Sequence, residues 1–223
     1  MPYFKANKYP WVVRVKVDGP KLMFIMDCGG SIISAQHVIT AAHCTEVPDW
    51  QNHYDRDAVE SEMIVHVGEH QLDRYSEENL GNVLKIGIEK IYRHPDWKPE
   101  EFDKGYDIAI LKLKDVIDLK KYTPVCLAPR DAGLAYDEKF ARVVGWGKIN
   151  EIHHIVPQKL QEIDLKIHAY NGVSPKGIIQ ARYFNRNTQQ DQTGKGDCKV
   201  EYCEGRREIK FLQTFLLTLA LQY

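Results

Sequence analysis

The sequence lacks a hydrophobic run long enough to cross a bilayer. Its longest apolar stretch lies around Phe215 to Leu221, well short of the roughly 20 apolar residues that a transmembrane helix requires. It also lacks an excess of either charge, because 30 lysine and arginine residues are balanced by 31 aspartate and glutamate residues. Nucleic-acid partners usually require a basic field. We therefore expect no membrane span and no nucleic-acid partner.

Several other signatures are missing. The first seven residues are polar and aromatic, without the apolar core of a secretory signal peptide, so we expect no signal peptide in this chain. No Rossmann glycine pattern, phosphate-binding loop or paired Cys-x-x-Cys zinc motif occurs. We therefore predict no cofactor and no metal bound by such a motif. The five cysteines are an odd number, which leaves at least one thiol unpaired in a disulfide-using protein.

Short runs rich in β-branched and apolar residues recur along the chain and are separated by turn signals. No helix-and-strand alternation is visible, so the pattern favours an all-β barrel or sandwich. A helix is expected only over Arg206–Tyr223, where apolar residues recur at helical spacing. The predicted strands are Trp11–Val17, Leu22–Met26, Ser31–Thr40, Glu62–Val67, Val83–Tyr92, Asp107–Leu113 and Phe140–Trp146, with a weaker pattern over Lys159–Ile167.

Two segments carry a specific resemblance. Cys28–Ser34 reads Cys-Gly-Gly-Ser-Ile-Ile-Ser, and Val38–Cys44 reads Val-Ile-Thr-Ala-Ala-His-Cys. Together they resemble the catalytic-histidine segment of the chymotrypsin/trypsin family of serine endopeptidases. Tyr106–Leu113 resembles the segment that carries the family's triad aspartate. The resemblance implies that His43 is the general base and that Asp107 orients it.

Further matches extend the resemblance over about residues 8–170, and they imply a trypsin-like double β-barrel. We expect residues 8–117 to form a complete first barrel with the histidine and aspartate. Residues 118–199 are expected to form a linker and a partial second barrel, followed by a non-matching tail at 200–223. The family also implies polypeptide substrates and an extracellular location.

The resemblance implies a disulfide between Cys28 and Cys44. Cys126 resembles a cysteine that joins the family's catalytic domain to a propeptide, and Cys198 resembles half of a pocket disulfide. Cys203 has no counterpart. One bridge and three unpaired thiols are therefore expected, with a Cys198–Cys203 bridge as the alternative.

The pattern breaks where the family places its nucleophile. Gly194–Lys199 resembles the approach to the Gly-Asp-Ser-Gly-Gly motif, but Val200 stands at the oxyanion-hole glycine and Tyr202 at the serine. A phenol with a pKa of about 10 is a poor acyl-transfer nucleophile. Met1–Tyr3 also differs from the family's activated N-terminus. We therefore expect a serine-endopeptidase family member that is inactive as written, through truncation or a frame disruption. The alternative is a catalytically dead homologue that acts as a binding or regulatory protein.

One weaker signal concerns calcium. Gly68–Gln71 followed by Glu78 resembles the calcium-binding loop of some trypsins, which makes Glu69 and Glu78 candidate ligands. Calcium takes six to eight oxygen ligands, and a few acids on a loop are more typical of solvated charge. We keep calcium as the one candidate cofactor.

Overall fold

The computed structural model describes residues 8–18, 26–49, 54–72, 82–127, 139–147, 157–168, 178–185, 190–191, 209–212 and 220–221. These residues are mostly β-strand, with three short 3-10 helices at His43–Thr45, Glu60–Glu62 and Pro99–Lys104. The strands are β1 Val12–Val17, β2 Met26–Ser34, β3 His37–Thr40, β4 Glu46–Asp49, β5 Tyr54–Asp57, β6 Met63–Val67, β7 Leu84–Arg93, β8 Ala109–Leu113, β9 Phe140–Gly145, β10 Gln161–His168, β11 Ile178–Asn185, β12 Gln190–Asp191, β13 Ile209–Leu212 and β14 Ala220–Leu221.

Six strands close into an antiparallel barrel in the order β1-β2-β3-β8-β7-β6, with β6 pairing back onto β1. Alternate residues of these strands point inward, as in Val13, Val15 and Val17 of β1 and Leu111 and Leu113 of β8. These five side chains are at most 1% exposed. Closure leaves the barrel without an open strand edge, and the buried valine, isoleucine and leucine side chains supply the main stabilising term.

A second sheet follows in the order β12-β11-β10-β9-β14, and β13 also pairs with β11. The trypsin-like all-β prediction is confirmed, but the helix expected over Arg206–Tyr223 is wrong where this part of the chain is described. Residues 209–212 pair antiparallel with 178–181, and 220–221 pair with 141–142. Pairing with a neighbouring strand satisfies these backbone groups and overrides the local helical periodicity. Among the described residues, no helix is long and apolar enough to cross a membrane.

The predicted run Ser31–Thr40 is also wrong in one respect, because it contains a turn. Strand β2 ends at Ser34, strand β3 begins at His37, and the two pair antiparallel. The turn carries neither glycine nor proline. Instead, the Ser34 hydroxyl accepts a hydrogen bond from the Gln36 backbone N–H at 3.3 Å and contacts His37 Nδ1 at 2.8 Å. A serine side chain can thus supply the local turn contacts.

A network of charged side chains joins the segment before β1 to the second sheet; we call it the junction network. Lys8 Nζ donates to Glu162 Oε2 at 2.7 Å, and Tyr9 Oη donates to the same carboxylate. Arg142 holds Asp164 through two hydrogen bonds of 2.7 and 3.0 Å. An apolar cluster of Tyr9, Val12, Val144 and Leu160, with Trp11 and Trp146 packed on it, lies beside these groups. Together they fix the second sheet against the first barrel.

The junction network predicts a loss of stability in acid. Burial alone would raise the pKa of Glu162, but hydrogen bonds from Lys8 and Tyr9 and the nearby Arg142 charge outweigh it and lower that pKa. A lowered pKa in the folded state contributes stability above the ordinary value of 4.5, and this contribution is lost as the pH falls through the folded-state pKa. We therefore expect the urea concentration at the unfolding midpoint to decrease as the pH is lowered below 4.5. The decrease should be smaller in Glu162→Gln, which has no carboxylate to protonate at this position.

The matched control is Glu89→Gln, because Glu89 forms an ion pair with Lys112 on the exposed surface, where water screens the interaction. Urea titrations between neutral pH and about pH 3 should give this variant the acid profile of the original chain. Identical profiles for the original chain and Glu162→Gln would contradict the prediction.

Candidate active site

His43 is presented by a tight turn that small residues permit. Strand β3 ends at Thr40, and the buried Ala41 and Ala42 lead into the 3-10 helix that begins at His43. The Thr45 hydroxyl and backbone N–H both donate to the Ala42 carbonyl, at 2.6 and 2.8 Å. The chain therefore reverses within a few residues, and the imidazole remains 26% exposed.

Asp107 is presented by an unusual backbone just before strand β8. Gly105 and Tyr106 both have positive φ, +91° and +66°, which is uncommon for a bulky residue such as tyrosine. The Ile108 N–H then donates to the Tyr106 carbonyl at 2.7 Å, which closes a three-residue turn around Asp107. This conformation turns the Asp107 side chain inward, where it is fully buried.

The two side chains meet in a bidentate arrangement. Asp107 Oδ1 accepts the His43 backbone N–H at 2.9 Å, and Oδ2 lies 2.5 Å from His43 Nδ1. A carboxylate can only accept, so Nδ1 carries the ring proton and Nε2 of the neutral imidazole carries the lone pair. The arrangement fixes both the orientation and the tautomer of a potential general base.

The bridge between Cys28 and Cys44 is present, with Cα atoms 6.1 Å apart and a sequence separation of 16. It ties strand β2 to the turn that carries His43. His43 Nε2 lies 3.4 Å from Cys44 Sγ, so the imidazole edge faces the sulfur pair. The disulfide thus belongs to the surroundings of the site as well as to the barrel.

Sequence reasoning missed Arg93, which holds the histidine turn from strand β7. Its guanidinium donates to the Thr45 hydroxyl at 2.6 Å, the Thr45 carbonyl at 2.7 Å and the Ala58 carbonyl at 3.0 Å. Thr45 closes the turn that begins at His43, so Arg93 supports the site from behind. No local pattern indicates this role, because the partners lie 48 and 35 residues away.

Sequence reasoning also missed an aromatic neighbour of the imidazole. The Trp97 and His43 ring centroids are 6.5 Å apart at an interplanar angle of 52°. Trp97 Nε1 donates to Glu46 Oε1 at 2.6 Å, and Glu46 is only 5% exposed. This contact fixes the indole beside the imidazole. The available signal was a tryptophan two residues after Pro95 of the His94-Pro95 turn.

The candidate calcium ligand Glu69 already has a cation. Its side chain is 1% exposed, and Oε2 lies 3.3 Å from Arg14 Nη1 and 3.2 Å from His66 Nδ1. Arg14 also forms two hydrogen bonds with Asp27, at 2.9 and 2.7 Å. The guanidinium therefore lies between the Asp27 and Glu69 carboxylates and contacts both. The second candidate, Glu78, lies outside the described residues.

Calcium should consequently leave the stability of the chain unchanged. Bound calcium would raise the Tm by mass action, but Glu69 would first have to leave Arg14. We expect Tm values within about 1 °C of one another in excess calcium and in EDTA, measured by calorimetry. A calcium-dependent rise that disappears in Glu69→Gln would contradict this expectation.

The remaining cysteines differ in what can be described. Cys126 is an exposed free thiol, and it is the free cysteine among the described residues. Cys198 and Cys203 lie outside the described residues, as do Val200 and Tyr202. Their predicted roles stay predictions.

Comparison with known proteins places this geometry in context. The family model described as trypsin matches residues 3–205, which reaches beyond residue 200, where a non-matching tail was expected to begin. The heavy chain of the venom peptide isomerase of Agelenopsis aperta is 32% identical over 163 residues, covering 73% of this chain and 60% of that protein. The phenoloxidase-activating enzyme of Bombyx mori is 28% identical over 162 residues, covering 64% and 33%.

A third relative, the chymotrypsin-like elastase family member 1 of Macaca fascicularis, is 30% identical over 121 residues, covering 54% of this chain and 40% of that protein. The chain thus spans between a third and three fifths of the length of these three relatives. The family model, by contrast, covers nearly all of the chain. With a closed six-stranded barrel and a histidine–aspartate pair at the predicted positions, this chain belongs to the trypsin family.

Proposed function

We propose that this chain carries the proton-accepting half of a serine-endopeptidase site and does not itself hydrolyse peptide bonds. The observation that supports the first part is the bidentate contact of Asp107 with the backbone and ring of His43. The second part rests on the sequence, which places tyrosine at the position of the nucleophile.

In a complete site, His43 Nε2 would take the proton of a serine hydroxyl as that oxygen attacks the scissile carbonyl. The imidazolium so formed would then give the proton to the leaving amine. Asp107 stays ionised, keeps the ring oriented through Nδ1 and stabilises the positive charge. Since the Asp107 carboxylate is fully buried, little water screens its attraction to the imidazolium.

This sequence has no serine at the position of the nucleophile. No serine follows Ser174 in the printed sequence, so none is available at the position that Tyr202 takes. Val200 replaces the glycine whose N–H would bind the developing oxyanion. Loss of an oxyanion-hole donor alone costs about 10² to 10³ in kcat, and loss of the nucleophile removes the acyl-enzyme route altogether.

The complete form of this enzyme would act on extended polypeptides. An extracellular location fits the Cys28–Cys44 disulfide, because such bonds persist in oxidising compartments. It also fits the relative whose name places it in venom. We propose no preference for one substrate side chain.

The first test is chemical labelling. The purified 223-residue chain should not react with a serine-directed diaryl phosphonate, because the reagent requires an activated serine hydroxyl. Mass spectrometry of the intact chain measures the adduct, with trypsin as positive control and His43→Ala as matched variant. The two forms of the chain should give the same background. Stoichiometric labelling that His43→Ala abolishes would contradict the proposal.

The second test separates an incomplete enzyme from a catalytically dead homologue. The transcript is sequenced across the codons for Cys198 and Lys199. An adjacent reading frame that restores Gly-Asp-Ser-Gly-Gly would support the incomplete enzyme. A transcript that encodes Val200–Tyr223 without interruption would support the homologue acting as a binding or regulatory protein.

A further inference from the structure

The disulfide and the catalytic imidazole form a compact group, which we call the sulfur–imidazole cluster: Cys28, Cys44 and His43. One ligand atom from each of the three residues lies within 4.8 Å of the other two. The imidazole atom next to Cys44 Sγ is Nε2, at 3.4 Å. In the oxidised protein the two sulfurs are bonded to each other, so they are not available as thiolates.

We propose that reduction of this disulfide converts the sulfur–imidazole cluster into a zinc site. The three protein ligands are the sulfurs of Cys28 and Cys44 and His43 Nε2. The fourth position is taken by water. Zinc bound by two cysteines, one histidine and a solvent molecule is a known tetrahedral ligand set, and soft thiolates select zinc over calcium or magnesium.

The geometry of the cluster fits this ligand set. Zn–N and Zn–S bonds of about 2.0 and 2.3 Å at a tetrahedral angle place nitrogen and sulfur roughly 3.5 Å apart, close to the 3.4 Å between Nε2 and Cys44 Sγ. Two thiolates on one zinc lie about 3.8 Å apart. Rotation about the cysteine Cα–Cβ bonds can give that separation while the Cα atoms stay 6.1 Å apart.

Asp107 supplies the outer shell that such a site needs. Metal-binding histidines almost always donate the other ring N–H to a carboxylate or carbonyl, which fixes the tautomer and increases the basicity of the ligand nitrogen. Here Nδ1 is held by Asp107 Oδ2, so the nitrogen directed at the sulfurs is the one with the lone pair. The side chain of His43 is 26% exposed, which gives the metal and its water a route to solvent.

A small-molecule dithiol transfers two electrons and two protons to the Cys28–Cys44 bond, which becomes two thiols, and the dithiol becomes a disulfide. Zn²⁺ then displaces the two thiol protons, which pass to buffer, and forms two Zn–S bonds and one Zn–N bond. The oxidation state of the metal does not change.

Zinc at this position would block the proposed base. Nε2 is the atom that accepts the serine proton in a complete site, and its lone pair is used once it binds a metal. The reduced, zinc-loaded form of a complete enzyme would therefore be inactive. A small-molecule disulfide that accepts two electrons from the two thiolates would re-form the bridge, become a dithiol and release Zn²⁺. The zinc site itself does not depend on turnover.

Cobalt(II) is the direct probe, because a tetrahedral cobalt–thiolate site gives both a sulfur-to-metal charge-transfer band and intense d–d bands. The titration uses the full chain in a Cys126→Ser, Cys198→Ser, Cys203→Ser background, which removes the competing thiols. After reduction by a dithiol that is then removed, we expect one equivalent of cobalt with both kinds of band. Zinc should displace it, and the oxidised protein should show neither band.

The variants identify the ligands. Cys44→Ser should weaken charge transfer and binding, and His43→Ala should abolish the one-to-one complex. Asp107→Asn should reduce zinc affinity by about 10- to 100-fold. His37→Ala is the matched control, because His37 contacts Ser34 rather than the cluster. Equal binding by oxidised protein, full binding by His43→Ala, or loss of native near-UV circular dichroism in the zinc-loaded form would each overturn the proposal.

Discussion

Replacing Cys28 and Cys44 together with alanine should lower the free energy of unfolding by about 3 kcal/mol. The bridge closes a loop with a sequence separation of 16, and a cross-link of that span stabilises mainly by restricting the unfolded chain. Cys44 is also only 2% exposed, so truncation of its side chain removes packing as well. Urea unfolding followed by tryptophan fluorescence measures the loss.

The matched control for this prediction is Cys126→Ala, since Cys126 is an exposed free thiol. A surface substitution of this kind should change stability by no more than about 0.5 kcal/mol. A loss below about 1 kcal/mol in the double variant would mean that the unfolded chain is already restricted around this loop.

Gly68→Ala should cost a similar amount, about 3 kcal/mol, through two separate effects. Gly68 has φ +87°, where an L-residue with a Cβ is strained. An added Cβ would also lie 2.7 Å from Tyr122 Oη and 3.0 Å from Tyr122 Cε1. Tyr122 is 1% exposed, so it has little room to move, and overpacking of this kind typically costs 1 to about 3 kcal/mol.

Gly29→Ala is the matched control, because a Cβ at Gly29 meets no described atom within 4 Å. That variant should change stability by less than about 0.5 kcal/mol. The double variant Gly68→Ala, Tyr122→Phe separates the two effects, since it relieves the contact with the hydroxyl but not the backbone strain. We expect it to recover about 1 kcal/mol relative to Gly68→Ala. Full recovery would contradict the backbone contribution, and none would contradict the steric one.

The position of Gly68 explains why this turn matters for the whole molecule. After Val67 the chain turns out of strand β6 and pairs with the segment that immediately precedes β10 of the second sheet, before it returns to the barrel as β7. The Leu160 N–H donates to the His70 carbonyl at 2.8 Å, and the Leu72 N–H donates to the Gln158 carbonyl at 2.7 Å. A distorted turn at Gly68 should therefore weaken the contact between the two sheets as well as the barrel.

The sequence was most informative where local residues determine the structure. The β-branched and apolar residues of Trp11–Val17 indicated a strand, and the structure forms it with Val13, Val15 and Val17 buried. The small residues Ala41 and Ala42 lie directly before His43, and the tight turn that they permit is present. In such cases the signal and the structure it indicates lie within a few positions of each other.

Features that depend on distant partners could not be predicted. Nothing near Glu69 indicates that its carboxylate contacts Arg14, which lies 55 residues away, and its role as a calcium ligand stays a prediction. Residues 209–212 were predicted as helix from the helical spacing of their apolar residues. Their pairing with β11 is likewise a long-range contact, which the local sequence does not indicate. The outcome at these positions is determined by tertiary context, which overrides local propensity.

The two hydrogen bonds of Asp107 have a consequence for how this site can change over time. One oxygen holds the imidazole, but the other satisfies the main-chain N–H at the first residue of a 3-10 helix. Loss of the carboxylate would leave that part-buried donor without this acceptor, at a cost of about 1 kcal/mol. Selection for a stable barrel alone can thus preserve the aspartate after hydrolysis has been lost. Survival of the aspartate in a relative without the nucleophile therefore does not show when the activity was lost.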